Sequence, residues 1–177
     1  HLSIRRQRQM CIRDRHYCYA VHPLQHNQQT LSQSINEKSY NLTEKLTIAI
    51  NCAQLLNQLH SQHIIVNNIH TEQLYIDQDL QLKILDLSLA SKVSTIHKKL
   101  PHGYIAQQWL STMSPEISGR MNRPVEKQAD LYSLGATLFK LFVNRYPFEY
   151  DDEMEMIHAH IAKTPHFAHK YDPQLPE

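Results

Sequence analysis

Two long segments of helical periodicity constrain the fold of this chain more than any other feature. Asn41 and Glu44 have the spacing of a capping box, and the apolar stripe that follows predicts a helix with one buried face. The stripe comprises Leu46, Ala49, Ile50, Ala53, Leu56, Leu59 and His60. The second segment, residues 127–143, is apolar on nearly every side, which is typical of a helix inside a core. The chain therefore needs a core that covers both helices.

The residues around these helices predict smaller elements. The strings "LYI" and "LKIL" are joined by the polar "DQDLQ", a pattern that indicates a short β-hairpin. Residues 30–41 predict a short helix and a loop, and residues 91–125 are broken by prolines and glycines into mostly irregular structure. The string "DDEMEMIHAHIAK" predicts a third helix with acidic residues in its first turn. The elements together predict a mainly helical α+β domain.

Composition narrows the class of protein. A length of 177 residues suits one domain or a large piece of one, and 41% hydrophobic residues are too many for a disordered chain. No run of about 18 apolar residues is present, so no membrane span is expected. Cys11, Cys18 and Cys52 form no CxxC pair, which argues against a disulfide framework and favours a reducing, cytoplasmic setting.

The first fifteen residues differ from the rest in charge. They hold five of the 18 lysines and arginines and one of the 17 acidic residues. A basic arm can bind nucleic acid, but "RQMCIRDR" resembles translated sequencing-adapter read-through, and the chain begins with His rather than Met. Residues 1–15 are therefore expected to be non-native or disordered, residues 16–177 to form the domain, and no nucleic acid partner is expected.

The order of the motifs resembles the C-terminal lobe of a protein kinase. The string "VNNIHTEQ" lies over the kinase pattern H-R-D-x-x-x-x-N, "DLS" over D-F-G, and "SPE" over A-P-E. Gln73 and Asp86 are 13 positions apart, the separation usual in kinases. Residues 113–165 are similar to the serine/threonine kinase-like domain that opens large bacterial signalling proteins. The resemblance covers residues 28–177.

This resemblance implies an α+β protein kinase-like fold, with a mainly helical C-lobe and a short β-hairpin. The N-lobe is expected to be absent, because no glycine precedes residue 100 and no partner lysine can be located. ATP and Mg²⁺ are the implied cofactors, with weak binding expected in this fragment. The implied partners are the downstream modules of such signalling proteins: an ATPase, a GAF domain and a histidine kinase of a two-component system.

The resemblance puts Asn68 at the position of the catalytic aspartate. A carboxamide is not basic near neutral pH, so Asn68 cannot accept the proton of a substrate hydroxyl. Such acid–base help contributes about 10²- to 10⁴-fold in rate. His70 lies at the position of a lysine that steadies the transferring phosphate, and Trp109 at that of an activation-segment threonine. These changes imply a degenerate catalytic loop.

Other positions carry metal-binding or structural roles in the resemblance. Asp86 and Gln73 occupy the two Mg²⁺-ligand positions, and Asn67 replaces an arginine that grips a phosphorylated activation segment. Asp130 and Glu116 occupy structural positions. Asp86 also has a simpler interpretation as a turn residue after a hairpin.

Three functions remain open on this sequence. The first is a pseudokinase, a kinase-like regulatory domain of a bacterial signalling protein whose nucleotide binding is weak or lost. The second is a working serine/threonine protein kinase that transfers the γ-phosphate of ATP with Asp86 and Gln73 as Mg²⁺ ligands. The third is a fragment without function.

Overall fold

The computed structural model of this protein describes residues 10–14, 17–21, 29–84, 86–92, 107–121, 123–173 and 175. The helices are α1 (Leu31–Glu37), α2 (Leu42–Ser61), α3 (Gln107–Leu110), α4 (Lys127–Val143) and α5 (Glu153–Ala162), with 3-10 turns at Pro115–Ser118 and Ala168–Lys170. The strands are β1 (Met10–Asp14), β2 (Tyr17–Val21), β3 (Gln29–Thr30), β4 (Ile64–Ile65), β5 (Leu74–Ile76), β6 (Leu82–Ile84) and β7 (Ser91–Lys92). None of the helices in these ranges has the length and apolar character that crossing a bilayer requires.

The predicted hairpin is confirmed as β5 and β6, which pair in antiparallel register. Its turn is organised by Asp77, whose Oδ1 accepts hydrogen bonds from the backbone N–H of Asp79 at 3.0 Å and of Gln81 at 2.9 Å. Leu80 adopts the left-handed conformation, with φ of 58°. Strand β3 adds to β5, so the sheet order is β3-β5-β6.

Two further strand pairs lie outside this sheet. β4 pairs with β7, which attaches the residues after Asp86 to the end of the loop that follows α2. β1 pairs with β2 in an antiparallel hairpin. Residues 10–14 of this hairpin belong to the segment expected to be non-native or disordered and form a strand here, whereas residues 1–9 lie outside the described residues. The domain boundary after residue 15 stays a prediction.

Helix α2 begins as predicted but buries a different face. The capping box is confirmed, because the Asn41 and Glu44 side chains each accept the backbone N–H of the other. The predicted stripe is wrong in part: Leu46 and Ile50 are 48% and 56% exposed. The buried residues are Ile48, Cys52 and Leu56. Ile48 and Ile50 are two positions apart, hence about 200° apart around the helix, so tertiary packing chose between two apolar faces.

Helix α4 lies between two apolar clusters. Leu134 and Leu141 pack in the first cluster, with α2, β5 and β6, whereas Ala129 packs in the second, with α3 and α5. The expectation that α4 is covered on nearly all sides is wrong at Leu131, which is 56% exposed. The buried side of α4 also carries polar residues, Asp130, Ser133 and Thr137. These polar residues make α4 the support of the loop described below.

The Asp77 turn gives a stability prediction. Asp77→Ala removes an acceptor used by two backbone N–H groups, and it should lower the free energy of unfolding by about 1–2 kcal/mol. The matched control is Asp79→Ala, which removes an exposed carboxylate from the same turn. Urea unfolding followed by circular dichroism measures both. Equal losses for the two variants would contradict the assigned role of Asp77.

Candidate functional site

The loop after β4 is anchored by a buried carboxylate on α4. Asp130 is 1% exposed and accepts the backbone N–H of Val66 and of Asn67, each at 2.8 Å. His60, in the last turn of α2, donates to the same carboxylate through Nε2 at 2.8 Å. Three donors therefore satisfy one buried charge, which offsets the cost of removing it from water. Sequence reasoning missed the part played by His60, because its partner lies 70 residues away and no local pattern indicates the pairing.

The carbonyl of Ile69 is held by two threonine side chains. Thr112 Oγ1 donates to it at 2.9 Å, and Thr137 Oγ1 lies within 3.3 Å of the same oxygen. Both threonines are fully buried. The loop is thus fixed by α4 and by the turn after α3. No sequence signal distinguished these threonines from ordinary core residues.

Asn67 joins this loop to the segment after Asp86. Its backbone is left-handed, with φ of 63°, a conformation that asparagine tolerates better than most residues. Its Nδ2 donates to the Leu89 carbonyl at 2.9 Å and to Ser91 Oγ at 3.0 Å. Asn67 is 4% exposed, so water competes little for these bonds. An uncharged amide thus bridges the two segments.

Asn68 lies between Asn67 and Ile69, whose backbone groups are both anchored. Its side chain is partly exposed, and among the residues that the structure describes its buried Oδ1 has no hydrogen-bond partner. The loop therefore fixes the backbone that carries this carboxamide. The amide can donate or accept a hydrogen bond but cannot take up a proton near neutral pH.

His70 is buried and uncharged at neutral pH. It is 8% exposed, and burial lowers the pKa of its imidazole to about 4, although the charge of Glu72 acts in the opposite direction. Nδ1 accepts the backbone N–H of Glu72 at 3.2 Å, so the ring proton lies on Nε2. His70 thus offers one neutral N–H donor and no fixed positive charge.

Gln73 and Asp86, which the resemblance gives as the two Mg²⁺-ligand positions, are in contact. Gln73 Nε2 donates to the backbone carbonyl of Asp86 at 3.2 Å, and Gln73 is 8% exposed. The exposed Asp86 carboxylate accepts the backbone N–H of Ser88 at 2.7 Å, so it also performs the turn role. Carboxylate and amide oxygens are hard ligands that suit Mg²⁺, which commonly takes one or two protein ligands together with substrate phosphates. The donor chemistry of this pair fits that ion.

Trp109 is buried in an apolar environment. It is 4% exposed in the cluster that also contains Phe148 and Met156, and among the described residues its buried Nε1 has no partner. It opens the turn that closes with the Thr112 N–H on the Trp109 carbonyl at 3.1 Å. The described residues show no hydrogen bond between Trp109 and Asn68.

Glu116 lies in the 3-10 turn Pro115–Ser118. Its buried Oε2 has no partner among the described residues. Burial, and to a smaller extent the charge of Glu116, raises the pKa of Tyr132 to about 12. The Tyr132 hydroxyl and His160 Nδ1 are 2.7 Å apart, and burial lowers the pKa of His160.

Comparison with known proteins now identifies the family. Residues 1–176 match the Protein kinase domain family, and the chain belongs to it. The mainly helical α+β arrangement with its small antiparallel sheet fits this family. ATP and Mg²⁺ are the general ligands of this family.

Similar proteins include kinases and a histidine kinase. The chain is 30% identical over 142 residues to Serine/threonine-protein kinase PLK4 of Drosophila willistoni, which covers 79% of this chain and 17% of that protein. It is 22% identical over 176 residues to Kinase suppressor of Ras B of Caenorhabditis elegans, covering 90% and 32%. It is 51% identical over 53 residues to Hybrid signal transduction histidine kinase G of Dictyostelium discoideum, covering 30% and 2%. The chain thus spans less than a third of the length of each of these relatives.

The Asp130 anchor gives a second prediction. Asp130→Ala leaves two buried backbone N–H groups and His60 without their acceptor, so the free energy of unfolding should fall by about 3 kcal/mol or more. Glu126→Ala, just before α4, is the control, because Glu126 is exposed and its side chain makes no capping bond. Urea unfolding compares the two variants. A loss at Asp130 no larger than that at Glu126 would show that the loop is held by something else.

Burial of His70 gives a pH prediction. The unfolded chain protonates this imidazole near pH 6.5 and the folded protein only near 4, so the unfolded state binds more protons between these values. The free energy of unfolding should therefore fall as pH drops from 6.5 to 4, with up to about 3 kcal/mol coming from His70. His70→Gln should flatten this dependence, whereas His158→Gln, at an exposed histidine, should leave it unchanged. An identical pH profile in wild type and His70→Gln would refute the prediction.

Proposed function

We propose that this protein is a pseudokinase: a catalytically impaired, kinase-like regulatory domain that acts by contact with other signalling modules. The observation that carries the proposal is Asn68, a carboxamide in the loop position that the family resemblance gives to the catalytic aspartate. Phosphoryl transfer depends on positioning and on electrostatic stabilisation of the reacting oxygens. Asn68 can contribute to positioning but cannot accept the proton.

The contrast between the loop's support and its chemistry strengthens this proposal. Asp130 and Thr112 hold the loop with short hydrogen bonds, and Asn67 ties the loop to the segment after Asp86. The groups that face the reaction in the resemblance have lost charge or basicity: Asn68 is an amide, and His70 is neutral. Selection for a stable loop surface would keep the residues that support the loop and would tolerate loss of charge and basicity at the positions that face the reaction.

We assign the chain to the C-terminal lobe of a kinase-like domain in a bacterial multidomain signalling protein. Its partners would be the downstream ATPase, GAF and histidine kinase modules of the same polypeptide. The matching segment of Hybrid signal transduction histidine kinase G, a Dictyostelium discoideum protein, supports an association with a histidine kinase module. Asp86 and Gln73 would hold Mg²⁺, which neutralises phosphate charge when bound together with ATP. We expect nucleotide binding by this chain alone to be weak.

A working serine/threonine kinase is the second candidate. The contact of Gln73 Nε2 with the Asp86 backbone carbonyl favours it, because it keeps the two residues of the implied Mg²⁺ site next to each other. The similarity to PLK4 also supports this candidate. Such an enzyme would lack the carboxylate base and would depend on the metal and on positioning.

Phosphotransfer by the intact parent protein tests the proposal. We expect incorporation of labelled phosphate from ATP no greater than that of an Asp86→Ala variant, because the loop lacks its base. Introducing the base with Asn68→Asp should raise the rate by about 10²-fold or more if the remaining site is competent. Thermal unfolding curves of the variants check that each is folded.

The outcomes separate the two candidates. Robust turnover by the natural protein that Asp86→Ala abolishes, with only a modest gain from Asn68→Asp, would establish a working kinase and remove the pseudokinase proposal. Background turnover in the natural protein would support the regulatory role.

A further inference from the structure

One face of helix α2 is apolar but lies outside the core. Leu42, Leu46, Ala49, Ile50 and Ala53 form this face, the α2 stripe. Leu42, Leu46 and Ile50 are 45%, 48% and 56% exposed, and neither apolar cluster of the described residues includes any member of the stripe. At about 100° per residue, the stripe is centred about 100° around the helix from the buried face. A contiguous row of exposed apolar side chains marks an interaction surface more often than single ones do.

The spacing of the α2 stripe is that of a seam between two packed helices. Leu42, Leu46, Ala49 and Ala53 are separated by four, three and four positions, which is the heptad spacing of side chains that interlock between paired helices. The row covers three turns, about 16 Å in length. The leucines occupy its first half and the alanines its second half. A partner helix therefore needs small side chains opposite the leucines and large ones opposite the alanines.

A second copy of the same helix meets this requirement when it lies antiparallel. Leu42 of one copy then falls opposite Ala53 of the other, and Leu46 falls opposite Ala49. Each contact occurs twice, as a twofold axis requires. A parallel pair would put leucine against leucine and alanine against alanine, which crowds one half of the seam and leaves the other loosely packed. The antiparallel arrangement also opposes the two helix dipoles.

Charge does not oppose this pairing. Residues 42–61 contain one acidic residue, Glu44, and one lysine, Lys45, and neither belongs to the α2 stripe. Lys38 Nζ donates to Glu44 at 2.8 Å, and Lys45 Nζ donates to the Phe142 carbonyl at 2.7 Å. Two copies can therefore approach without the cost of like charges meeting across the seam.

The α2 stripe is fixed in place by the rest of the domain. The capping box holds the first turn of the helix, and the bond from Lys45 ties that turn to the end of α4. Further along, Asn51 Nδ2 donates to the Leu80 carbonyl in the hairpin turn at 2.8 Å. A preformed surface loses little conformational entropy when it binds.

We infer that the α2 stripe is the contact between two copies of this chain, which pair through antiparallel α2 helices about a twofold axis. The inference goes beyond the proposed function and does not depend on it. A seam of three helical turns is small beside the about 1,200–2,000 Å² that stable interfaces bury. The dimer should therefore be weak, with a dissociation constant of about 10–100 μM.

Sedimentation velocity of the full chain over a range of concentrations measures this pairing. The seam variant is Leu46→Glu, which puts a carboxylate opposite Ala49 without a partner. The matched control is Phe167→Glu, the same change at a side chain that is 70% exposed and outside α2. Leu46→Glu should raise the dissociation constant by about tenfold or more, and Phe167→Glu should change it by less than about twofold. Added salt should not weaken the association, and circular dichroism checks that both variants are folded.

Cysteine cross-linking tests the direction and the register of the two helices. In a mixture of Leu42→Cys and Ala53→Cys chains, the introduced thiols lie opposite each other across the seam, so mild oxidation should link one chain of each kind. Either variant alone should link no more than the natural protein. The reason is that the two copies of one of these positions lie about 16 Å apart in an antiparallel pair, which is too far for a disulfide.

Three outcomes would overturn the inference. A chain that stays a monomer at every concentration would assign the α2 stripe to a different partner or to solvent. Equal effects of the two glutamate variants would place the contact elsewhere, and cross-linking of Leu42→Cys with itself would show a different arrangement of the helices. None of these measurements involves nucleotide, so their failure and a failure of the phosphotransfer experiment are distinguishable.

Discussion

The buried carboxylate of Asp130 is the interaction on which the arrangement of this domain depends. It joins the end of α2 and the nearby loop after β4 to the start of α4, which lies 63 to 70 positions further along the chain. Because a buried charge is costly unless every partner is present, the three parts must assemble together. The position of the Asn68 backbone follows from this carboxylate on one side, through Val66 and Asn67, and from Thr112 on the other, through the carbonyl of Ile69.

Much of the fold could be predicted from the sequence, because many of its elements depend on residues that are close together in the chain. The Asn41 capping box, the polar turn at Asp77 and the acidic start of α5 each depend on residues within a few positions of one another. The buried face of α2 could not be predicted in this way. That helix has two apolar faces, and only the position of α4 and the sheet decides which one is covered.

For the candidate site, sequence motifs located the residues at the motif positions but not all of the residues that support the loop. Motif order gave the positions of Asn68, Gln73 and Asp86, and the last two do lie in contact. Asp130 was given a structural role by the resemblance, but His60 and Thr112 were not found, because they make their bonds to groups 70 and 43 positions away. The protonation state of His70 also depends on burial, a property of the folded chain.

The hydrogen bonds of Asn67 affect how the segment after Asp86 can be regulated. A clamp made of amide hydrogen bonds carries no net charge, so it does not wait for a phosphate group to be added and does not weaken when salt rises. The segment that begins at Asp86 is thereby held near its start by one bond to a backbone carbonyl and one to a serine hydroxyl, neither of which requires a phosphate group. Phosphatases acting elsewhere on this segment would leave that tether as it is.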